Sequence, residues 1–94
     1  MRVIGTDKID EFIQNHADSK SWLQAWLAEA RSGEWQSPND IKALYSSASI
    51  LNNNRMIFNV KGNTYRMEVQ VSYKNKVIAI IRLGTHAEYE RWNK

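Results

Sequence analysis

The strictest pattern in this chain is an alternation of apolar and polar residues from Thr64 to Tyr73. The apolar members are Tyr65, Met67, Val69, Val71 and Tyr73, with one polar residue between each pair. Successive side chains of a β-strand point to opposite faces of the sheet, whereas a helix repeats about every 3.6 residues. The segment is therefore predicted to be a long strand with one buried face and one face toward water.

Turn sequences stand on both sides of this strand and predict two hairpins. Gly62-Asn63 suits a two-residue turn in which glycine supplies the positive φ, and Lys74-Asn75-Lys76 forms the second turn. The flanking strands are predicted over 55–60 and 77–83. Three consecutive strands joined by short turns indicate an antiparallel sheet.

The residues before the sheet have helical periodicity. After a short predicted strand over 2–4, Thr6 or Asp7 can cap a first helix, and Asp18 or Ser19 a second that stops at Gly33. The apolar positions at helical spacing are Ile9, Phe12, Ile13 and His16, then Trp22, Leu23, Trp26, Leu27 and Ala30. The two segments are predicted to form an antiparallel helical pair.

Two shorter helices are predicted from their caps. Ser37-Pro38 places serine at a cap and proline at the first position of a helix that runs to about Tyr45. Thr85-His86-Ala87-Glu88 has the form of a capping box and predicts a short C-terminal helix to about Trp92. The predicted fold class is α+β, a single domain over 1–94 with the helical pair packed on a mainly antiparallel sheet.

Several function classes are excluded or disfavoured by composition. The chain has no cysteine, which excludes disulfides, thiolate zinc sites and cysteine nucleophiles. Histidine occurs only at His16 and His86, and no glycine-rich phosphate motif is present, so we predict no metal site and no cofactor. No apolar stretch is long enough to span a membrane, and the first residues turn polar too soon for a secretory signal, so a cytoplasmic location is expected.

Positive charge is concentrated in the second half of the chain. Residues 1–54 carry five Lys/Arg and seven Asp/Glu, a balance of −2, whereas residues 55–94 carry eight and three, a balance of +5. Such an asymmetry suggests a polyanionic partner, although a solvated basic surface is an equally simple interpretation. If the partner is RNA, the cations predicted to contact it are Arg55, Lys74, Lys76 and Arg82.

The hairpin turns also predict which polar residues share a face. They pair Asn59 with Arg66 and Glu68 with Arg82, which puts both arginines on the polar face of the sheet. Lys61 lies at the hairpin end, and His86 and Tyr89 follow the strand that carries Arg82. Simpler roles stay open: Arg82 could pair with Glu68, Tyr89 could pack on the sheet edge, and His16 is interpreted as a packing residue.

A cluster of cations, an imidazole and a phenol suits RNA cleavage without a metal. The 2′-hydroxyl of RNA can attack the adjacent phosphate when a base takes its proton, an acid protonates the leaving 5′-oxygen and cations stabilise the phosphate. Histidine, with an unperturbed pKa of about 6.5, is the side chain best suited to proton transfer near neutrality.

Three segments resemble the toxins of the HigB family. Residues 58–67 are similar to that family's hairpin run, Asn-x-x-Gly-Asn-x-Tyr-Arg, and residues 84–89 to its closing run, Gly-Thr-His-Ala-Glu-Tyr. The segment around Ser37-Pro38, from Trp35 to Lys42, is also similar. The resemblance covers about residues 35–92.

This resemblance implies a RelE/ParE-like fold and a ribosome-dependent mRNA endonuclease that a helix-turn-helix, DNA-binding antitoxin neutralises. By motif position it carries function onto His86 for acid/base work, Arg66 for phosphate stabilisation, Lys61 for phosphate binding and Tyr89 for stacking on or orienting a base. The partners it implies are the antitoxin, the ribosome and mRNA. Two alternatives stay open: a relative of the same fold that acts on DNA gyrase, and a sheet that binds RNA without cutting it.

Overall fold

The structure is a computed structural model and describes residues 1–92. Over these residues, four helices, one 3-10 turn and five strands follow one another. In order they are β1 (Arg2–Ile4), α1 (Thr6–Asn15), a 3-10 turn (Ala17–Ser19), α2 (Lys20–Ser32), α3 (Pro38–Leu44), β2 (Ser49–Ile50), β3 (Arg55–Val60), β4 (Tyr65–Ser72), β5 (Val77–Thr85) and α4 (His86–Tyr89).

The strands form one five-stranded sheet in the order β1-β5-β4-β3-β2. β3, β4 and β5 are antiparallel neighbours, as the turns predicted. β1 joins the far side of β5 in parallel, with Val3 opposite Ile78. The short β2 was not predicted, and it adds Ser49–Ile50 to the outer side of β3. The prediction of a mainly antiparallel α+β domain is therefore confirmed.

The core lies between the first two helices and one face of the sheet. Leu23 and Trp26 of α2 are fully buried against the apolar residues of β3 and β4. The sheet residues in this cluster are Val3, Met56, Phe58, Val60, Tyr65, Met67, Val69, Val71, Ile78 and Ile80. Each fully buried aliphatic or aromatic side chain contributes about 1.5–3 kcal/mol, so this cluster is the main source of stability.

The helix starts show which local signals were sufficient. Ser37 accepts a hydrogen bond from the backbone N–H of Asp40, so its predicted role as a cap is confirmed. The predicted cap of α1 was wrong: Gly5, at φ 86°, occupies that position and makes no side-chain cap. Glycine is required there because a Cβ on Gly5 would lie 3.0 Å from the carbonyl oxygen of Ile80. Ser19 precedes α2, but its hydroxyl donates to the carbonyl of His16 instead of capping the helix.

The prediction that β4 has one wet face was wrong for its central residues. Arg66 is only 7% exposed and Glu68 only 2%. β4 is the middle strand of the sheet, with long neighbours on both sides, and its polar residues are covered by ion pairs and by the C-terminal segment. Alternation therefore identified the strand correctly but not the solvation of its second face.

The predicted register is confirmed where β4 and β5 carry Arg66 and Arg82, but it is one residue off near the second turn, where a three-residue turn at 74–76 predicts a pair between Tyr73 and Val77. Asn59 pairs with Arg66 and Glu68 with Arg82. At the second turn, however, Val77 pairs with Ser72 and not with Tyr73. A β-bulge then shifts the ladder by one residue, because Val69 pairs with Ile80 while Glu68 pairs with Arg82. The bulge leaves Ile81 without a partner in the ladder and restores the predicted pairing at the end of the sheet that carries Arg66.

Candidate functional site

Arg66 and His86 meet where β4 and β5 end beside α4. Arg66 lies opposite Gly84 in the sheet, and the backbone N–H of His86 donates to the carbonyl of Thr64. The guanidinium Nη2 of Arg66 lies 3.0 Å from Nδ1 of His86. Two residues that the sequence predicted for one site are therefore in direct contact.

α4 begins at His86 because Thr85 and Glu88 form the predicted capping box. The Thr85 hydroxyl accepts from the backbone N–H of Glu88 at 3.2 Å, and the Glu88 carboxylate accepts from the backbone N–H of Thr85 at 2.8 Å. The hydrogen bond from the Thr85 backbone holds the pKa of Glu88 below its usual value. This pair of hydrogen bonds fixes the start of α4 and therefore the position from which the His86 side chain projects.

Arg66 is held on several sides at once. Its Nη1 donates to the carbonyl oxygens of Asn63 at 3.0 Å and Tyr65 at 3.1 Å. Tyr89 lies over the guanidinium, with 5.2 Å between Cζ and the ring centroid, a distance at which a cation–π attraction is significant. Arg66 thus ties the hairpin turn, β4 and α4 together.

His86 has a second polar neighbour just past the end of its own helix. Its Nε2 lies 3.1 Å from the Oε1 atom of Glu90, one helical turn later, and its ring centroid is 6.4 Å from that of Tyr89. The structure therefore brings Arg66, His86 and Tyr89 together, as predicted, and adds Glu90. Glu90 was not among the residues predicted for the site, although a carboxylate four residues after a histidine at a helix start is a readable signal.

Lys61 is bound elsewhere. Its Nζ lies 2.9 Å from Oδ2 of Asp18, and the other carboxylate oxygen, Oδ1, accepts a 2.7 Å hydrogen bond from the hydroxyl of Tyr65. Both contacts lower the pKa of Asp18, and the hydrogen bond from Tyr65 has the larger effect. The carboxylate in turn raises the pKa of the Tyr65 hydroxyl. Lys61 does lie in the hairpin turn, as predicted, but its ion pair is with the 3-10 turn and not with the Arg66–His86 pair. Asp18 had no sequence signal for this role because 43 residues separate it from Lys61.

Arg55 and Arg82 both contact the buried carboxylate of Glu68. Arg55 Nη1 lies 2.8 Å from one carboxylate oxygen, and Arg82 Nε lies 2.7 Å from the other. The guanidinium of Arg82 also stacks on Trp92, 4.4 Å from the ring centroid. The alternative left open for Arg82, a cross-strand pair with Glu68, is therefore confirmed, and Arg55 shares that partner.

Lys74 and Lys76 lie in the exposed turn after β4, at the opposite end of the sheet from His86. Arg66 and Ser72 are six residues apart on this strand, which corresponds to about 20 Å at roughly 3.3 Å per residue. The two lysines are solvated, as predicted, but they are not part of the Arg66–His86 cluster. Any contact they make with a polyanion is at a separate position on the surface.

His16 packs among aromatic rings. It stacks on Phe12 with 4.4 Å between ring centroids, and it lies 5.0 Å from the ring of Tyr65. It also borders a groove of about 370 Å³ between α1 and the edge of β5. Its position agrees with the interpretation of His16 as a packing residue.

Within residues 1–92, no three His, Asp or Glu side chains converge in a way that could hold a metal ion. Over the same residues, none of the helices is both long and apolar enough to cross a membrane.

The fold and the site together define a small α+β domain with an Arg-His-Tyr cluster at one end of an antiparallel sheet. A family model described as HigB_toxin, the RelE-like toxic component of a toxin–antitoxin system, matches residues 19–92. The chain belongs to this family, and its fold is that of a RelE-like toxin. Membership implies an antitoxin partner. None of the curated proteins matches the chain.

Proposed function

We propose that this toxin is an endonuclease that cuts mRNA on translating ribosomes. The observation that carries the proposal is the contact between Arg66 and His86, beside Tyr89, at the exposed end of a basic sheet. An imidazole, a buried cation and an aromatic ring are the groups needed to transfer protons, stabilise phosphate charge and orient a base.

The proposed reaction needs no group beyond RNA, protein and water. The 2′-oxygen forms a bond to the neighbouring phosphorus as a base takes its proton, and the bond from phosphorus to the 5′-oxygen breaks as an acid protonates that oxygen, with water filling whichever of the two roles His86 does not. His86 takes part in these proton transfers, and the positive charge of Arg66 opposes the negative charge that builds on the phosphate. Tyr89 stacks on or orients a base. Charge stabilisation is strong at Arg66 because the guanidinium is largely withdrawn from water.

Ribosome dependence follows from the small extent of the cluster. One corner of the sheet holds Arg66, His86 and Tyr89. The other nearby cations already have partners: Lys61 is paired with Asp18, and both Arg55 and Arg82 are paired with Glu68. Ribosomal RNA would present the message and complete the surroundings of the scissile phosphate. Lys74 and Lys76 would then contact ribosomal phosphates at a distance from the cut, which makes association steeply dependent on salt.

The test is expression of the chain without its antitoxin, followed by mapping of message ends. Growth arrest with cuts in ribosome-bound mRNA is expected, and His86→Ala should lower the cleavage rate by about 10²- to 10⁴-fold. Lys20→Ala, on the exposed surface of α2, is the control for general effects of substitution.

A DNA supercoiling assay on the same protein separates the two alternatives. Inhibition of gyrase with intact messages would identify a gyrase-directed toxin, and RNA binding without either effect would identify a non-catalytic RNA-binding domain. Arrest of the ribosome implies action in the cytoplasm, and a DNA-binding, helix-turn-helix antitoxin is the partner proposed to hold the toxin inactive.

A further inference from the structure

The two ring nitrogens of His86 face neighbours of opposite kind. Nδ1 lies 3.0 Å from Arg66 Nη2, and Nε2 lies 3.1 Å from Glu90 Oε1. A guanidinium remains protonated in proteins and has only hydrogen-bond donors. The nitrogen that faces Arg66 must therefore be the one with a free lone pair.

This requirement fixes the tautomer of the ring. A neutral imidazole whose Nδ1 has a lone pair carries its hydrogen on Nε2. The carboxylate of Glu90 is an acceptor and is placed to receive that N–H. The contacts come from different parts of the chain, β4 and the residue that follows α4, and both select the same form of His86.

The two contacts differ in how easily they can be replaced. Arg66 is buried and fixed by the carbonyl oxygens of Asn63 and Tyr65, so it cannot leave Nδ1 without breaking those bonds. The Glu90 side chain is 57% exposed, and an exposed ion pair one helical turn apart contributes little because solvent screens it. An oxygen of an RNA phosphate can therefore take the place of Glu90, whereas nothing on the surface readily takes the place of Arg66.

We infer that Arg66, in addition to the charge it supplies, positions His86 by holding the ring neutral with Nε2–H directed outward as a hydrogen-bond donor to the RNA. The inference rests on the proposed function for the identity of the ligand, but the tautomer does not depend on it. Glu90 occupies the ligand's position in the free protein. His86 thereby belongs on the donor side of the reaction, where the phosphate or the leaving 5′-oxygen receives a hydrogen bond.

The first experiment measures the tautomer by long-range ¹H–¹⁵N NMR of the imidazole rings in the intact chain. The wild type should show a protonated Nε2 and a bare Nδ1 at His86 at neutral pH. Glu90→Ala should keep this pattern, because Arg66 is sufficient, and Arg66→Met should give a mixture of tautomers. Arg82→Met is the matched control, an arginine on the same sheet face that contacts Glu68 and not His86. A protonated Nδ1 in the wild type, or loss of the pattern in Glu90→Ala alone, would overturn the inference. If Arg66→Met does not fold, the spectra of the wild type and of Glu90→Ala still test the inference.

The second experiment asks which nitrogen serves the RNA. The side-chain amide of glutamine places an N–H near the Nε2 position, and that of asparagine places one near Nδ1. In ribosome-dependent cleavage, His86→Gln should be about tenfold to a hundredfold more active than His86→Asn or His86→Ala, the factor expected for one hydrogen bond to a charged group. Equal activity of the three variants would overturn the donor role. Absence of cleavage by the wild type would instead refute the proposed function while leaving the NMR result to stand.

Discussion

Removing both arginines that contact Glu68 should destabilise the domain far more than removing either one. The carboxylate is 2% exposed and accepts one charge-assisted bond from Arg55 and one from Arg82. With a single arginine replaced by methionine, the buried charge keeps one partner. With both replaced, it has none of these ion pairs.

The expected magnitudes follow from burial. An uncompensated buried charge costs about 3–5 kcal/mol, which is the loss expected for Arg55→Met with Arg82→Met. Each single substitution should cost about 1 kcal/mol, because the two arginine side chains are 36% and 39% exposed and their attraction to Glu68 is partly screened by solvent. For a domain of this length, whose total stability is about 5–14 kcal/mol, the double loss is a large fraction.

Urea unfolding followed by far-ultraviolet circular dichroism measures these free energies. The decisive variant is the triple replacement that adds Glu68→Met to the double variant. It should regain most of the lost stability, because a buried charge is then exchanged for an apolar side chain. Single effects that add up to the double effect, or a triple variant less stable than the double, would refute the argument that a buried carboxylate is the source of the coupling.

Three further outcomes are expected. Gly84→Ala should push Trp92 off the sheet, because a Cβ at residue 84 would lie 2.9 Å from the indole. The fluorescence of Trp92 should then shift toward that of an exposed ring, and an unchanged spectrum would contradict this packing. The pKa of Asp18 is lowered, mainly by the hydrogen bond from Tyr65. The stability that this carboxylate contributes should therefore be complete above about pH 4 and should fall as the pH drops through the lowered pKa. Asp18→Asn should remove that part of the acid dependence of the urea unfolding midpoint. Burial raises the pKa of Tyr45 to about 12, whereas the phenol of the unfolded chain ionises at about 10. The stability that Tyr45 contributes to the fold should therefore decline as the pH rises from about 10 toward 12. A Tyr45→Phe variant whose alkaline stability profile matches that of the wild type would contradict this.

The acid-dependence measurement also bears on Lys61. Asp18 engages Lys61 in the free protein, so Lys61 can bind a phosphate only by exchanging partners. Asp18→Asn weakens that competition while leaving the lysine in place. If Lys61 binds phosphate, ribosome association of Asp18→Asn should become tighter at low salt, and unchanged binding would restrict Lys61 to its structural ion pair.

Short-range signals in the sequence were reliable wherever the structure depends on neighbours within about four residues. Ser37 and the Thr85–Glu88 capping box start their helices as predicted, because a side chain that satisfies a backbone N–H three residues away needs no other part of the fold. The alternation in β4 likewise located the strand, and the hairpins gave the pairing of Asn59 with Arg66. From this pairing and the closing motif, the approach of Arg66 to His86 could be predicted.

Other features were decided only when the chain closed on itself. Three such features are the parallel docking of β1 on β5, the ion pair between Asp18 and Lys61 and the bulge at Ile81. Each joins segments whose local sequences do not predict that they meet. Burial of Glu68 belongs to the same group, since it requires two strands and the C-terminal segment to cover one face of β4. The sequence by itself determined most of the helices and strands, the main register and the approach of Arg66 to His86, because local hydrogen bonding and periodicity depend on adjacent residues. The tertiary structure alone decided which charges are withdrawn from water and which ring nitrogen of His86 faces outward, because desolvation and partner geometry depend on every element that packs around a group.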